Sequence, residues 1–342
     1  MKKYDVIIVG CGPAGVAAAK ILKNNNINYC IIEKNKFPRE KLCGGALSNK
    51  TQLLLNELNF NIENINKKEI TEVEFVTKKI NYNMNLINSI TMIDRLEFDY
   101  NNLKQIKDKN IYYSENIIKI EDNILTTNKD LYKFKYIIFA DGVNGYSRKL
   151  IKNREFGFCV EYNSNININK TILDFEAIKS GYGWIFQKSN YTTIGLGKFN
   201  DKKVDYVELL LAFAKKYNLN IEKDKIKGHF IPVFSKNVFK KSVIDNKYIL
   251  VGDSASLVDQ VSGEGIYYAM ASGKFAAESI IQCLNENGDL KKLYFRKTKK
   301  LYKDLKKRKN LSKLLYSKYG PVFIKIGLSN KTFIKLLNKM FG

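Results

Sequence analysis

The sequence predicts an α/β fold: a parallel βαβ unit opens the chain, a mainly β domain is inserted into it, and helices close it. Three observations carry that expectation. Residues 4–9 form a short β-branched run that enters a glycine-rich turn and then a helical stretch, 16–22. Two later runs of the same kind, 134–140 and 247–251, each end beside an Asp-Gly or Gly-Asp pair. Between them, Tyr182, Trp184 and Phe186 alternate as they would on one face of a strand. With 342 residues, 45% hydrophobic and 27% charged, the chain is large enough for a self-sufficient core, and collagen-like, disulfide-scaffold and wholly disordered classes are excluded. No apolar run reaches the roughly 18–20 residues of a membrane span.

The opening unit is the most informative. The first run enters Gly10-Cys11-Gly12-Pro13-Ala14-Gly15, a G-x-G-x-x-G pattern, and a second strand, 29–32, ends on Glu33. Gly10 permits the tight turn, Gly12 lets backbone approach a pyrophosphate, and Gly15 allows close helix–strand packing. The helix N-terminus, with Ala14 in its first turn, offers N–H groups and partial positive charge to phosphates. Glu33 can accept hydrogen bonds from a ribose diol and disfavours a 2′-phosphate there, so this Rossmann-like unit suits FAD or NAD over NADP. The later Asp-Gly turns favour FAD, because a flavin fold returns a carboxylate, here Asp253, to the ribityl and pyrophosphate region. The glycines of Ser262-Gly263-Glu264-Gly265-Ile266 then precede a further helix, 267–281, whose start can face the flavin ring.

The parts are expected to interleave. Residues 1–70, 96–150 and 241–285 form the FAD-binding domain, 71–95 and 151–240 a mainly β substrate domain, and 286–342 basic amphipathic helices. Five cysteines without a CxxC pattern read as reduced thiols of a cytoplasmic protein, and no metal spacing occurs. The single histidine, His229, makes a Ser-His-Asp triad unpromising and reads as structural. Lys2-Lys3 and the apolar run behind them imitate a signal sequence, but Asp5 interrupts where the apolar stretch should begin, so no processing is expected.

Charge is uneven. The net charge is +24, and residues 291–342 hold 17 Lys/Arg against one acid, Asp304. Within that tail Leu290, Leu293, Tyr294, Leu301, Leu305, Leu314, Leu315, Phe323, Ile324 and Ile326 recur at helical spacing with lysines on other faces, and Gly320-Pro321 breaks the pattern. An oily side with a cationic rim suits an anionic membrane surface; the alternative is a terminal helix docked on its own domain. Membrane recruitment should then weaken in salt without vanishing, and truncation after about Gly288 should abolish it while leaving FAD bound. Nucleic acid is a less suitable partner, because the tail offers only Arg296 and Arg308 beside its tyrosines.

Taken together the motifs resemble the geranylgeranyl reductase family of flavoproteins, within the hydroxylase-like FAD superfamily, and the compact length with basic C-terminal helices is similar to bacterial members of the CbrA type. The resemblance covers nearly the whole chain. It is carried by the glycine start with Glu33, by Pro38-Arg39-Glu40-Lys41-Leu42-Cys43-Gly44-Gly45, by Asp94-Arg95-Leu96-Glu97-Phe98-Asp99, by Ala140-Asp141-Gly142 through Arg148, by Tyr182-Gly183-Trp184-Ile185-Phe186 and by Asp253 through Gly265-Ile266. It departs at Gln187 and at Gln260, where the family has Pro. The resemblance implies that Cys43 and Gly44 lie beside the isoalloxazine, that Arg95 contacts FAD, and that Ile117 offers a backbone contact to adenine. It implies that Tyr182, Trp184 and Phe186 wall a pocket for an isoprenoid or prenyl-lipid chain. Arg39, Arg95 and Arg148 are three of six arginines and all fall inside motifs, where a planar fork can meet phosphate or the flavin edge. The implied activity is reduction of carbon–carbon double bonds by reduced flavin, with a flavin monooxygenase as the alternative enzyme and a flavin-stabilised nucleic-acid-binding protein as the alternative class. Cys43 is either a small residue fitted against the flavin or a redox or proton-donating one. Cys43, Tyr182 and a water are the candidate acids. One dinucleotide fingerprint means that the electron donor, a nicotinamide cofactor or a redox protein, visits from outside.

Overall fold

The computed structural model describes residues 1–78, 80–152, 154–199, 204–317, 319–328, 330, 334 and 338, and the structural statements below concern these. A six-stranded sheet lies at the nucleotide end, in the order Val243–Ile244, Tyr248–Leu250, Tyr136–Phe139, Val6–Val9, Tyr29–Glu33, Ile111–Tyr113. All neighbours are parallel except the first pair. Val6–Val9 therefore sits where the strand order reverses, and the crevice beyond the carboxyl ends of the strands is where such sheets bind ligands. Its four residues and those of Tyr29–Glu33 are buried, as a parallel strand covered on both faces requires. The helices Pro13–Asn24 and Ile266–Glu286 pack against each other, Gly273 against the Ala14 backbone. Both run further than the apolar periodicity suggests: the first gains Pro13, whose fixed φ suits a first helical position, and the second continues to an αL cap at Asn287.

A second sheet of eight strands forms the wall of the site. Its order is Lys227–Pro232, Phe156–Ser164, Thr192–Lys198, Gly181–Gln187, Ile172–Asp174, Lys67–Thr77, Ile80–Ile93, Ala46–Leu47. The strand Lys67–Thr77 runs across the expected domain boundary at 70/71, and Ala46–Leu47 joins this sheet although it precedes that boundary. One face is covered by the helix Tyr206–Lys216, with Ile185, Ile194, Leu196, Leu210 and Phe213 between them. The other face looks toward the nucleotide sheet. A small sheet of 2–3, 117–121, 124–127 and 131–133 flanks the first.

The tail forms the helices Leu290–Lys297, Lys299–Leu315 and Gly320–Leu328. Its apolar positions turn inward: Leu290, Tyr294, Leu301 and Leu305 join the nucleotide-domain core, and Leu315 and Ile324 join the cluster around Tyr182 and Trp184. Among the described residues, most of the expected outward oily side is therefore turned inward. Burial of that stripe against the protein's own core has taken its place, and Leu314, Tyr319 and Val322 are the exposed large apolar residues of this region. The side chain of Ile326 and most positions after Leu328 lie outside the described residues. No described helix is long and apolar enough to cross a membrane.

Candidate active site

A cavity of about 700 Å³ runs between the two sheets. Gly10, Gly12, Pro13, Ala14 and Glu33 border its nucleotide end, with Ile117 beyond them. Gly10 has φ +103°, and a side chain there would strike the Ala140 carbonyl at 2.5 Å; Gly15 lies beneath, where a Cβ would come within 1.9 Å of the Gly10 carbonyl. Helix and strand can approach this closely only without those side chains. Glu33, 4% exposed, accepts the N–H groups of Cys11 (2.8 Å) and Asn35 (2.9 Å). A carboxylate has about four acceptor positions, so it can hold the turn and still receive a diol.

The residues present fit FAD. The helices Pro13–Asn24 and Ile266–Glu286 both point uncapped N-termini at the cavity, through Gly12 and Gly265. Such ends bind anions and developing negative charge through N–H groups and the helix dipole. The nearest atom to a Cβ built on Gly12 would be Arg39 Nη2, at 3.8 Å, so backbone and guanidinium line a cradle broad enough for a pyrophosphate. Asp253, Gly265 and Ile266 also line the cavity.

The middle of the cavity is bounded by the turn Cys43-Gly44-Gly45, which is held from several directions. Glu161 Oε1 accepts the Cys43 N–H at 2.9 Å, and the Lys188 ammonium donates to the Cys43 carbonyl at 3.3 Å. Lys188 reaches it across Gly45, whose φ is +78° and where a Cβ would meet Nζ at 2.8 Å. Arg95 borders the cavity too, but its guanidinium is engaged by Asp99 (3.0 and 2.9 Å), which also pairs with Arg39 at 3.4 Å. Burial opposes the charge of Arg95, and Asp99 more than restores it. Burial likewise pushes the Glu161 carboxyl up and the Lys188 ammonium down, each toward its neutral form, with Lys188 pulling Glu161 back.

The aromatic wall is on the eight-stranded sheet. Tyr182, Trp184 and Phe186 all line the cavity, with ring centroids 5.9 and 6.3 Å apart along the strand. The adjacent strand makes room for them. Its Gly195 and Gly197 lie opposite Trp184 and Tyr182 in register, and a Cβ would meet the Trp184 ring at 2.3 Å and Cys159 Sγ at 2.2 Å. Val73, Ile90, Met92, Leu173 and Phe199 extend the apolar lining. Tyr316 of the tail closes over this end, donating to the Val261 carbonyl at 2.6 Å and lying 6.0 Å from Phe199. Tyr182 is a poor acid here. Its hydroxyl donates to the Ser262 carbonyl at 2.5 Å, and burial raises its pKa far above that of a free phenol.

Two expectations change. Arg148 lies on the exposed surface over Phe156, bonded to Asn144 and outside the cavity lining; Asp141 instead binds Ser147 through its hydroxyl and N–H. Arg308 is no surface platform for a nucleic acid, being 8% exposed and paired with Asp259 at 2.6 Å and Asp304 at 3.1 Å. Asp259 in turn accepts from the Val261 N–H and the Ser262 hydroxyl. The tail thus braces the loop whose Ser262, Gly263, Glu264 and Gly265 line the cavity, and removing it after Gly288 should not spare FAD binding.

Sequence reasoning missed Glu161, Lys188, Gly195, Gly197 and the place of His229, which also borders the cavity. The signal was present for some of them. Cys159 and Glu161 share a face by the period of two, and so do Gly195 and Gly197.

Residues 4–180 match the pyridine nucleotide-disulphide oxidoreductase family, just over half of the chain. The chain belongs to that family. All five cysteines of this member are free thiols. An uncharacterised protein of Methanosarcina barkeri is 35% identical over 303 residues, 82% of this chain and 75% of that one. The digeranylgeranylglycerophospholipid reductase of Methanocaldococcus jannaschii is 27% identical over 349 residues, 91% of this chain and 87% of that one. Among solved structures, a geranylgeranyl bacteriochlorophyll reductase-like protein of Thermoplasma acidophilum superposes with a TM-score of 0.76 at 20% identity, covering 92% of this chain and 88% of that one. This member of the family has the mixed α/β, Rossmann-like architecture of a FAD-dependent oxidoreductase with C-terminal helices, related in fold to the geranylgeranyl reductase-like proteins.

Proposed function

We propose that the protein reduces carbon–carbon double bonds of an isoprenoid or prenyl-lipid chain. The observation that carries this reading is the continuity of one cavity, from the glycine cradle and Glu33 to an aromatic wall opposite the Cys43-Gly44 turn. Gly10, Gly12, Glu33, Arg39 and the two helix N-termini would hold FAD, which when bound supplies hydride chemistry. Trp184, Phe186, Leu173 and Met92 would hold an extended apolar chain by surface burial, which suits a substrate with few polar groups. An unactivated alkene accepts hydride poorly, so positive charge must develop on carbon as a proton arrives. Aromatic faces beside that carbon stabilise it, and the covered site keeps water away. The name of the M. jannaschii relative, a reductase of a prenylated phospholipid, supports the same substrate class.

The electron donor is external, a nicotinamide cofactor or redox protein visiting transiently, because one dinucleotide fingerprint is present. The lysines at 299, 300, 303, 306, 307 and 313 are exposed on one helix, and we place the protein peripherally at the cytoplasmic face of an anionic membrane through them. The experiment is an anaerobic one. The protein should purify yellow or take up FAD, and after reduction should add hydrogen to a geranylgeranyl lipid, read by mass spectrometry. Failure to take up FAD overturns the cofactor assignment. Oxygen consumption coupled to a hydroxylated product, with no saturation under anaerobic reduction, would make the protein a monooxygenase instead.

A further inference from the structure

The reading above needs an acid, and the residue first suited to that role by position, Tyr182, has its proton engaged by Ser262. Glu161 is better placed. It stands in the middle of Phe156–Ser164, 4% exposed, on the face that borders the cavity. One carboxyl oxygen takes the Cys43 N–H, and the other, Oε2, is buried without a hydrogen-bond partner. Its register partner across the sheet is Gly195, over which the Trp184 indole lies. Acid and aromatic wall are thus neighbours with only a glycine strand between them. A buried carboxylate with an unpaired oxygen is costly, whereas a carboxylic acid carries no charge to desolvate.

We infer that Glu161 is the proton donor of the reduction, delivering its proton to a double bond held along the Trp184 wall. The inference rests on the proposed reaction. One alkene carbon receives hydride from two-electron-reduced flavin, the other receives the carboxyl proton, and the π bond is replaced by two C–H bonds. The O–H bond of Glu161 breaks and leaves a carboxylate, while the flavin ends two electrons more oxidised. That carboxylate is not stranded. Lys188, just past the end of Gly181–Gln187 two strands away, the Cys43 N–H and Lys41 of the 39–45 segment, and Arg95 of the helix Arg95–Ile106 all favour it. Cys159 on its own strand and His229 on the adjacent one also border this part of the cavity; burial holds both in their neutral forms, and Lys227, opposite Glu161 in register, is paired with Glu40. Burial favours the protonated form while Lys188, Lys41 and Arg95 favour the carboxylate, the balance a general acid requires.

Glu161→Gln separates this role from a structural one, since its amide oxygen can still accept the Cys43 N–H. FAD-loaded variant and wild type should bind flavin equally and be reduced equally by dithionite. In infrared spectra of the FAD-loaded wild type, a protonated-carboxyl band that shifts in D₂O and is missing from the variant is expected near neutral pH. In single turnover with a geranylgeranyl lipid, the prereduced variant should be slower by about 100-fold or more, and the alkaline fall in the wild-type rate should disappear. Absence of that band from the wild type, or a variant rate close to that of the wild type, overturns the inference. If the wild type saturates no prenyl lipid, the reading of function fails instead, and there the infrared band alone decides whether Glu161 holds the proton.

Discussion

Arg308→Met removes a guanidinium from between two carboxylates and leaves its methylene packing largely in place. Asp259 is fully buried and Arg308 nearly so, so the loss is that of one partner from a buried ion pair, about 3–5 kcal/mol. The Asp304 arm, with its carboxylate 42% exposed, adds at most about 1 kcal/mol. Asp259 keeps the Val261 N–H and the Ser262 hydroxyl, which places the total toward the lower end of that range. At roughly 2 cal/mol/K of unfolding entropy per residue, a chain of this length loses about 1.4 °C of Tm per kcal/mol, so a fall of about 4–6 °C is expected. The same loop lines the cavity, so FAD affinity should fall by about tenfold, the equivalent of 1.4 kcal/mol. Thermal unfolding and flavin titration measure the two. Arg308→Met combined with Asp259→Asn should recover part of the stability, because no unpaired charge remains buried. A single variant that melts with the wild type, or a double variant no better than the single, refutes the account of the tail as a brace.

Glu33→Ala should weaken FAD by about 10- to 100-fold in equilibrium titration, since two backbone N–H groups lose their acceptor along with the ribose, at about 1–3 kcal/mol. Gly195→Ala should displace Trp184, the single tryptophan, at a cost of about 1–3 kcal/mol; a shift in its fluorescence and a raised KM for the apolar substrate report it. His229 is held neutral by burial, its pKa pushed down from 6.5 to about 3. The unfolded chain takes up that proton first, so stability is intact above pH 6.5 and is lost toward pH 3 at about 1.4 kcal/mol per pH unit. His229→Asn should flatten the acid limb of chemical denaturation by that slope, and an unchanged limb would show His229 to be solvated. Recruitment to anionic vesicles should weaken steeply in salt, because among the described residues most of the tail's apolar stripe faces inward and screened charge dominates outside; salt-resistant recruitment would require that stripe to unpack.

What was legible in the sequence is what local chemistry dictates. Gly10 is required at its turn by a φ of +103° and Gly15 by the Gly10 carbonyl beside it, and Glu33 follows at a distance set by one helix and one strand. The alternation of Tyr182, Trp184 and Phe186 likewise needs only the period of a strand. The tail was ambiguous for a physical reason: an amphipathic helix buries its stripe equally well in a bilayer or against a core, and its own residues do not record which. The deciding contact, Arg308 with Asp259, spans 49 positions and has no local signature. Glu161 and Lys188 are hidden in the same way. Their burial follows from the return of the Cys43-Gly44-Gly45 turn to a sheet more than a hundred residues later in the chain. The cofactor cradle is therefore written locally and the chemistry beside it is written across the fold. A search for the acid by motif finds Cys43 and Tyr182, because they lie inside recognisable strings. Glu161 carries no such string; what marks it is a buried carboxyl oxygen at the cavity that no described group satisfies, left for the substrate or a proton.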